Sequence, residues 1–180
     1  MSACIALIRG INVGKGNRIA MAALKALITD LGHTEVRTLL NSGNVVFQSK
    51  RPNAARISSG IQAAILEKCG FSATVMVVTA ENLNTIIEEN PLLHVAKDPA
   101  RHLVAFVADA KHLDPLRPLL EEVWAPDALA MTQRAAYLWC AAGLLESKMS
   151  QALTRKAGTT ITTRNWATVL KLQAAAKETI

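Results

Sequence analysis

The chain has 180 residues, of which 51% are hydrophobic and 19% charged, and its formal net charge is +6. This length holds one compact domain or two small ones that share a core. The longest apolar run, residues 135–145, is much shorter than the roughly 20 residues of a membrane span, and no basic residue precedes the short apolar stretch at the N-terminus. We therefore expect neither a membrane helix nor a signal peptide.

The first half of the chain has the pattern strand, helix, strand, strand, helix, strand. Apolar runs indicate the strands, helical spacing of apolar residues indicates the helices, and Gly32 and Gly70 are placed to end the two helices. The predicted elements are strand 3–10, helix 21–32, strands 35–40 and 44–49 around an "NSG" turn, helix 54–70 and strand 72–78.

The second half repeats this order after a linking helix that Thr79 caps. The predicted elements are linking helix 79–90, strand 102–108, a helix around 114–123, hairpin strands 129–132 and 137–140 joined by "QRAA", helix 146–158, strand 159–163 and a last helix, 166–177. The sequence thus predicts an α+β fold of two ferredoxin-like (split βαβ) halves, 1–78 and 79–180, with antiparallel sheets and a C-terminal helix.

The positive charge is concentrated in the first half. Residues 1–78 hold nine Lys or Arg and three acids, whereas residues 79–180 hold eleven of each. Acids are absent from three stretches, 1–29, 36–66 and 147–177. Such stretches predict a positive field over part of the surface, although a solvated basic face without a ligand explains them equally well.

The strand order brings two polar loops together. In a split βαβ unit the first and third strands are antiparallel neighbours, so the loop 10–17 and the turn 41–44 should meet at one edge of the first sheet. Glycine backbones, amides and cations there would suit an oxyanion. The candidate anion-binding residues are Arg9, Gly10, Asn12, Gly14, Lys15, Asn17, Arg18, Ser42 and Asn44.

A third polar segment precedes the last helix. Thr163 or Asn165 can cap that helix, and Arg164 adds a cation near its positive end, so Arg164 and Asn165 complete the candidate set. Trp166 could stack on a base, but its helical stripe with Val169 and Leu170 favours packing.

Three motifs together resemble a known family. They are "LIRGINVGKGNRIAMAAL" near the start, "VRTLLNSGNVVF" at the hairpin and "TTRNWATVLKL" near the end. In this order they are similar to the bacterial family catalogued as domain of unknown function 1697 (DUF1697), over nearly the whole chain. The resemblance implies an α/β fold of two related halves. It brings no activity, cofactor or catalytic residue.

The residues argue against several chemistries. The spacing of Gly10, Gly14 and Lys15 fits neither a P-loop nor a dinucleotide fingerprint. Ser42 has no recognisable base, so catalytic residues stay unknown. The cysteines, Cys4, Cys69 and Cys140, lack metal-binding spacing and read as small apolar residues in a reducing cytoplasm rather than as reactive thiols. We expect no metal and no cofactor.

Three functions stay open. The first is an anion-binding module for the phosphate of nucleic acid, with RNA favoured, or of a nucleotide. The second is an enzyme acting on a phosphorylated or carboxylated small molecule. The third is a protein-interaction domain. We expect no membrane partner, and the sequence gives no oligomeric state.

Overall fold

The fold begins with a βαββαβ unit, seen here in a computed structural model that describes residues 1–179. Its elements are β1 (Ser2–Arg9), α1 (Met21–Asp30), β2 (Thr34–Leu39), β3 (Asn44–Ser49), α2 (Ala54–Cys69) and β4 (Thr74–Thr79). The strand order is β2-β3-β1-β4, and every pairing is antiparallel. This is the order of a split βαβ unit.

The second unit repeats the plan. Helix α3 (Ala80–Glu88) leads to β5 (His102–Val107), a 3₁₀ helix (Ala110–Glu121), β6 (Ala128–Met131), β7 (Ala135–Trp139), α4 (Lys148–Ala157), β8 (Ile161–Asn165) and α5 (Trp166–Glu178). The strand order β6-β7-β5-β8 is the first sheet's order with each strand replaced by its counterpart. The predicted α+β fold with two ferredoxin-like sheets and a C-terminal helix is confirmed.

By its contacts the chain divides into two units. One comprises Met1–Asn84 with Leu172–Ile180, and the other comprises Thr85–Lys171. Each unit has an apolar core between its sheet and its helices. In the first, one face of β1 contributes Cys4, Ala6 and Ile8. In the second unit, Leu103 and Ala105 of β5 contribute to the core in the same way.

The helix ends follow the local sequence. Asn53 caps α2, its side-chain oxygen accepting from the Arg56 amide at 2.9 Å. Gly70 ends this helix with a left-handed φ of 74°. The Thr79 hydroxyl accepts from the Asn82 amide at 3.1 Å at the start of α3, as predicted. Capping residues in the sequence therefore set both ends of α2 and the start of α3.

Two elements of the second half differ from the sequence prediction. The helix predicted around 114–123 is a 3₁₀ helix that includes Pro115 and Pro118, and proline removes the backbone N–H groups that α-helical bonding needs. The hairpin predicted with "QRAA" as its turn places Ala135 and Ala136 in β7 instead. There they are fully buried and pair with β5.

Candidate functional site

The two polar loops of the first unit meet where β1 ends and β3 begins. The register pairs Leu7 with Asn44, and the Ile8 amide donates to the Gly43 carbonyl at 2.7 Å. The Asn12 side-chain nitrogen reaches the Asn41 carbonyl at 3.4 Å. The predicted convergence is therefore confirmed. We call the loop 10–20 together with the turn 40–43 the rim.

Asn12 ties the rim loop together. Its side-chain oxygen accepts from the Ile19 amide at 3.0 Å, and its side-chain nitrogen donates to the Ile19 carbonyl at 2.9 Å. Its backbone amide donates to the Asn17 carbonyl at 3.0 Å. With a φ of 56°, Asn12 adopts the left-handed conformation that asparagine tolerates better than most residues. The Asn12 amide thus fixes the loop's shape.

Two further side chains bond back to the loop. The Asn17 side chain donates to the Gly10 carbonyl at 3.1 Å, and the Arg18 guanidinium donates to the Gly14 carbonyl at 2.7 Å. Gly10, Gly14 and Asn17 all have positive φ, so the chain doubles back sharply here. The result is a loop stabilised by its own hydrogen bonds.

The turn of the hairpin packs closely against β1. Asn44 is fully buried, and its side-chain nitrogen donates to the Leu39 carbonyl at 3.2 Å and the Ser42 hydroxyl at 2.8 Å. A Cβ placed on Gly43 would lie 2.5 Å from the Ile8 carbonyl oxygen. Gly43 was predicted only as a turn residue, and this close approach is a constraint that the sequence reasoning missed.

The rim and the last residue of β1, Arg9, present cations with no acid beside them in sequence. Lys15 and Arg18 are exposed, and Arg9 is half-buried on the face of the sheet opposite the helices, because Ile8 points into the core. Residues 1–29 contain no acid, and Lys15 forms no ion pair within residues 1–179. The rim therefore carries a concentrated positive charge.

Arg164 and Asn165 belong to the second unit. The Asn165 side-chain oxygen accepts from the Thr168 amide at 2.9 Å, so Asn165 caps α5 as predicted. The Arg164 guanidinium donates to the Thr163 carbonyl at 2.8 Å, and burial lowers the pKa of Arg164 to about 10. Arg164 therefore stays protonated at neutral pH.

Trp166 is buried in the second unit. Its ring stacks on His102 with 4.8 Å between centroids and 17° between planes. Trp166 therefore has the packing role that its helical stripe with Val169 and Leu170 favoured.

Residues 1–179 contain neither a metal-binding cluster of side chains nor a membrane-spanning helix. No group of three or more His, Cys, Asp or Glu side chains there is placed to hold a metal ion. No helix in the same stretch is both long enough and apolar enough to traverse a bilayer.

Comparison with known proteins identifies a family and a fold. The model of the family described as "Protein of unknown function (DUF1697)" matches residues 1–137. A solved structure, that of the conserved bacterial protein SP0830 from Streptococcus pneumoniae, is 23% identical, covers 97% of this chain and 98% of its own, and superposes with a TM-score of 0.75. No curated protein matches the chain significantly. The structural likeness supports the fold alone.

Proposed function

This chain belongs to the DUF1697 family, and we propose that its first unit is an anion-binding module that binds RNA through the phosphate backbone at the rim. The observation that carries this proposal is the rim loop itself. Lys15 and Arg18 lie on a loop whose shape its own hydrogen bonds fix, and Arg9 is the last residue of the strand that leads into this loop. A preorganised group of cations binds phosphates at a low entropic cost.

Backbone recognition suits this site better than base recognition. The amides of Asn12 and Asn17 are engaged in holding the loop, so they are poorly placed to read base edges. The first unit also has few aromatic side chains for stacking, and Phe47 is fully buried. We therefore expect weak, sequence-independent and salt-dependent binding. The proposal includes a reducing cytoplasmic location, consistent with three unpaired cysteines.

The test is RNA affinity as a function of salt concentration. Fluorescence anisotropy with a labelled single-stranded RNA should give log K falling linearly with log salt, with a slope of about −0.7 for each phosphate contact and about −2 for three cations. Lys15→Gln should make this slope less negative by about 0.7. Lys25→Gln removes an exposed charge of the same kind from α1 and serves as the control.

Two results would contradict the proposal. One is the absence of RNA binding at low salt. The other is a slope that Lys15→Gln and Lys25→Gln change equally, which would mean that the rim has no special part in binding. A thermal-shift screen of phosphorylated and carboxylated metabolites would then examine the enzyme alternative.

A further inference from the structure

A second concentration of positive charge lies at the other end of the first sheet. A cleft of about 690 Å³ opens beside Leu31, which follows α1, Ser49, which ends β3, and Asn53, which precedes α2. The register pairs Ser2 with Ser49, whereas the rim lies next to the pair Leu7 and Asn44. At roughly 3.3 Å per strand residue, the length of β3 separates this cleft from the rim. We call it the α1–α2 cleft.

One face of α2 forms a wall of the cleft. Asn53, Arg56, Ile57 and Gly60 line it, at the spacing i, i+3, i+4, i+7 that places side chains on one side of a helix. Gly60 leaves this wall open, since a Cβ added there would meet no atom within 4 Å. The space is thus available to a ligand.

Three cations line the cleft. Lys50 and Arg51 follow β3, and Arg56 lies in the first turn of α2. None of the three side chains forms an ion pair or a hydrogen bond within residues 1–179, and the sequence has no acid from 36 to 66. The positive charge here is uncompensated by the protein.

Apolar groups complete the lining. Leu31 and Ile57 contribute aliphatic surface, and His33 contributes a ring whose centroid lies 4.7 Å from that of Phe47. Burial lowers the pKa of His33, so this ring is neutral at pH 7. The cleft therefore combines a cationic side with an apolar side.

From this combination we propose that the α1–α2 cleft binds a phosphate monoester carried on a flat or apolar group, with a nucleoside monophosphate as the simplest example. A phosphate monoester carries a charge of about −1.5 to −2 at pH 7, which suits three uncompensated cations better than a carboxylate does. The volume lies within the usual range of small-molecule sites, roughly 300–1,000 Å³. Two sources carry this chemistry: a free nucleotide and the 5′-phosphorylated end of an RNA.

The experiment compares matched ligands on the intact chain. Isothermal titration calorimetry with AMP, GMP, CMP and UMP should show binding of at least one nucleotide, and the corresponding nucleoside should bind at least about tenfold more weakly. A short RNA with a 5′-phosphate, measured beside the same RNA with a 5′-hydroxyl, distinguishes the two sources. Preference for the 5′-phosphate RNA over the free nucleotide assigns the ligand to RNA ends, and the reverse assigns it to metabolites.

Two variants place the binding in the cleft. Arg56→Gln should weaken nucleotide binding about tenfold. Gly60→Leu should abolish it by filling the open wall, while it favours the helix because leucine is a better helix former than glycine. Ala63→Leu, at an exposed position of the same helix, is the control for the added side chain.

The outcomes separate this proposal from the one on the rim. Lys15→Gln should leave nucleotide binding unchanged. In the Arg56→Gln background, Lys15→Gln should still make the slope of log K against log salt for RNA binding less negative by about 0.7. If no nucleotide or 5′-phosphorylated RNA binds at millimolar concentration, the cleft proposal is overturned. It is equally overturned if Gly60→Leu and Ala63→Leu bind nucleotide as well as the wild type.

Discussion

Asn12 and Ile19 are joined twice, because the Asn12 side chain accepts from the Ile19 amide at 3.0 Å and donates to the Ile19 carbonyl at 2.9 Å. The six residues between them include Lys15 and Arg18. This pair of bonds closes the loop at its base, in the way that a pair of strand hydrogen bonds would. The presentation of both cations thus depends on one amide side chain.

Replacing Asn12 should loosen the rim. Asn12→Gly tolerates the φ of 56° but loses the side-chain bonds, so we expect the free energy of unfolding to fall by about 1–3 kcal/mol. Asn12→Ala should cost about 1 kcal/mol more, because alanine is strained at that φ. Urea unfolding measures both. Equal stability of the wild type and both variants would show that these bonds contribute nothing.

The close approach of the hairpin turn to β1 makes Gly43 the least replaceable glycine of the rim. Gly43→Ala combines a φ of 73° with a Cβ 2.5 Å from the Ile8 carbonyl oxygen, a backbone atom that cannot move without disturbing the β1–β3 pairing. We expect a loss of about 3 kcal/mol in the free energy of unfolding. Urea unfolding again provides the measurement.

Gly14→Ala is the matched control for this prediction. Its φ of 63° imposes the same left-handed conformation, but a Cβ there would meet nothing within 4 Å. Gly14→Ala should lower the free energy of unfolding only through the strain of alanine at this φ, by about 1–2 kcal/mol. If Gly14→Ala destabilised the protein as much as Gly43→Ala, the contact with Ile8 would carry no energy.

The sequence predicts the first unit well because its signals are local and agree with one another. An apolar run ending at a glycine defines β1, and Asn53 and Gly70 delimit α2. The 3₁₀ helix was missed as such because apolar periodicity alone does not distinguish 3₁₀ from α hydrogen bonding. Only Pro115 and Pro118 carried that information.

The site was less predictable than the fold. Asn12 and Asn17 were predicted as ligand donors, whereas their amides bond to carbonyls seven residues away, and such partners depend on a loop shape that sequence spacing does not give. The α1–α2 cleft was visible only as an acid-free stretch. The spacing of Asn53, Arg56 and Gly60 was a usable signal, but which side of α2 they occupy follows from packing.

The three cysteine thiols differ in burial and should therefore differ in reactivity. Cys69 is partly exposed, whereas Cys4 and Cys140 are fully buried, and burial raises the pKa of both, that of Cys4 to about 11. Because the thiolate is the reactive form, iodoacetamide at pH 8 should alkylate Cys69 first. Mass spectrometry of the labelled protein gives the order, and labelling in urea gives the unprotected rates. Alkylation of Cys4 as fast as Cys69 under native conditions would contradict the burial.

His102 is held neutral in the second unit. The Asn90 side-chain oxygen accepts from the Leu92 amide at 3.0 Å, so its nitrogen faces His102 Nε2 at 3.1 Å and donates to it. The proton of the imidazole is then on Nδ1, a buried atom with no hydrogen-bond partner within residues 1–179. Burial lowers the pKa of His102 below its ordinary 6.5, and protonation of Nε2 would set two donors against each other.

The protein should therefore lose stability as the pH falls. A histidine whose pKa is lower in the folded than in the unfolded state contributes its full stability above about pH 6.5, and this contribution is lost at lower pH as the unfolded chain takes up the proton. Chemical denaturation at pH values from 7 to 5 should show the decline. His102→Phe keeps an aromatic ring beside Trp166 and should make the decline shallower, although it lowers stability at pH 7 by leaving Asn90 without its acceptor.

His94 provides the control, since it is exposed and His94→Gln should leave the pH dependence of stability as it is. His33 also has a pKa lowered by burial, so it contributes to the decline in the same direction. Part of the pH dependence should accordingly survive in His102→Phe. The assignment to His102 fails if this variant and His94→Gln show the same pH dependence as the wild type, because the buried imidazole would then take up its proton without cost.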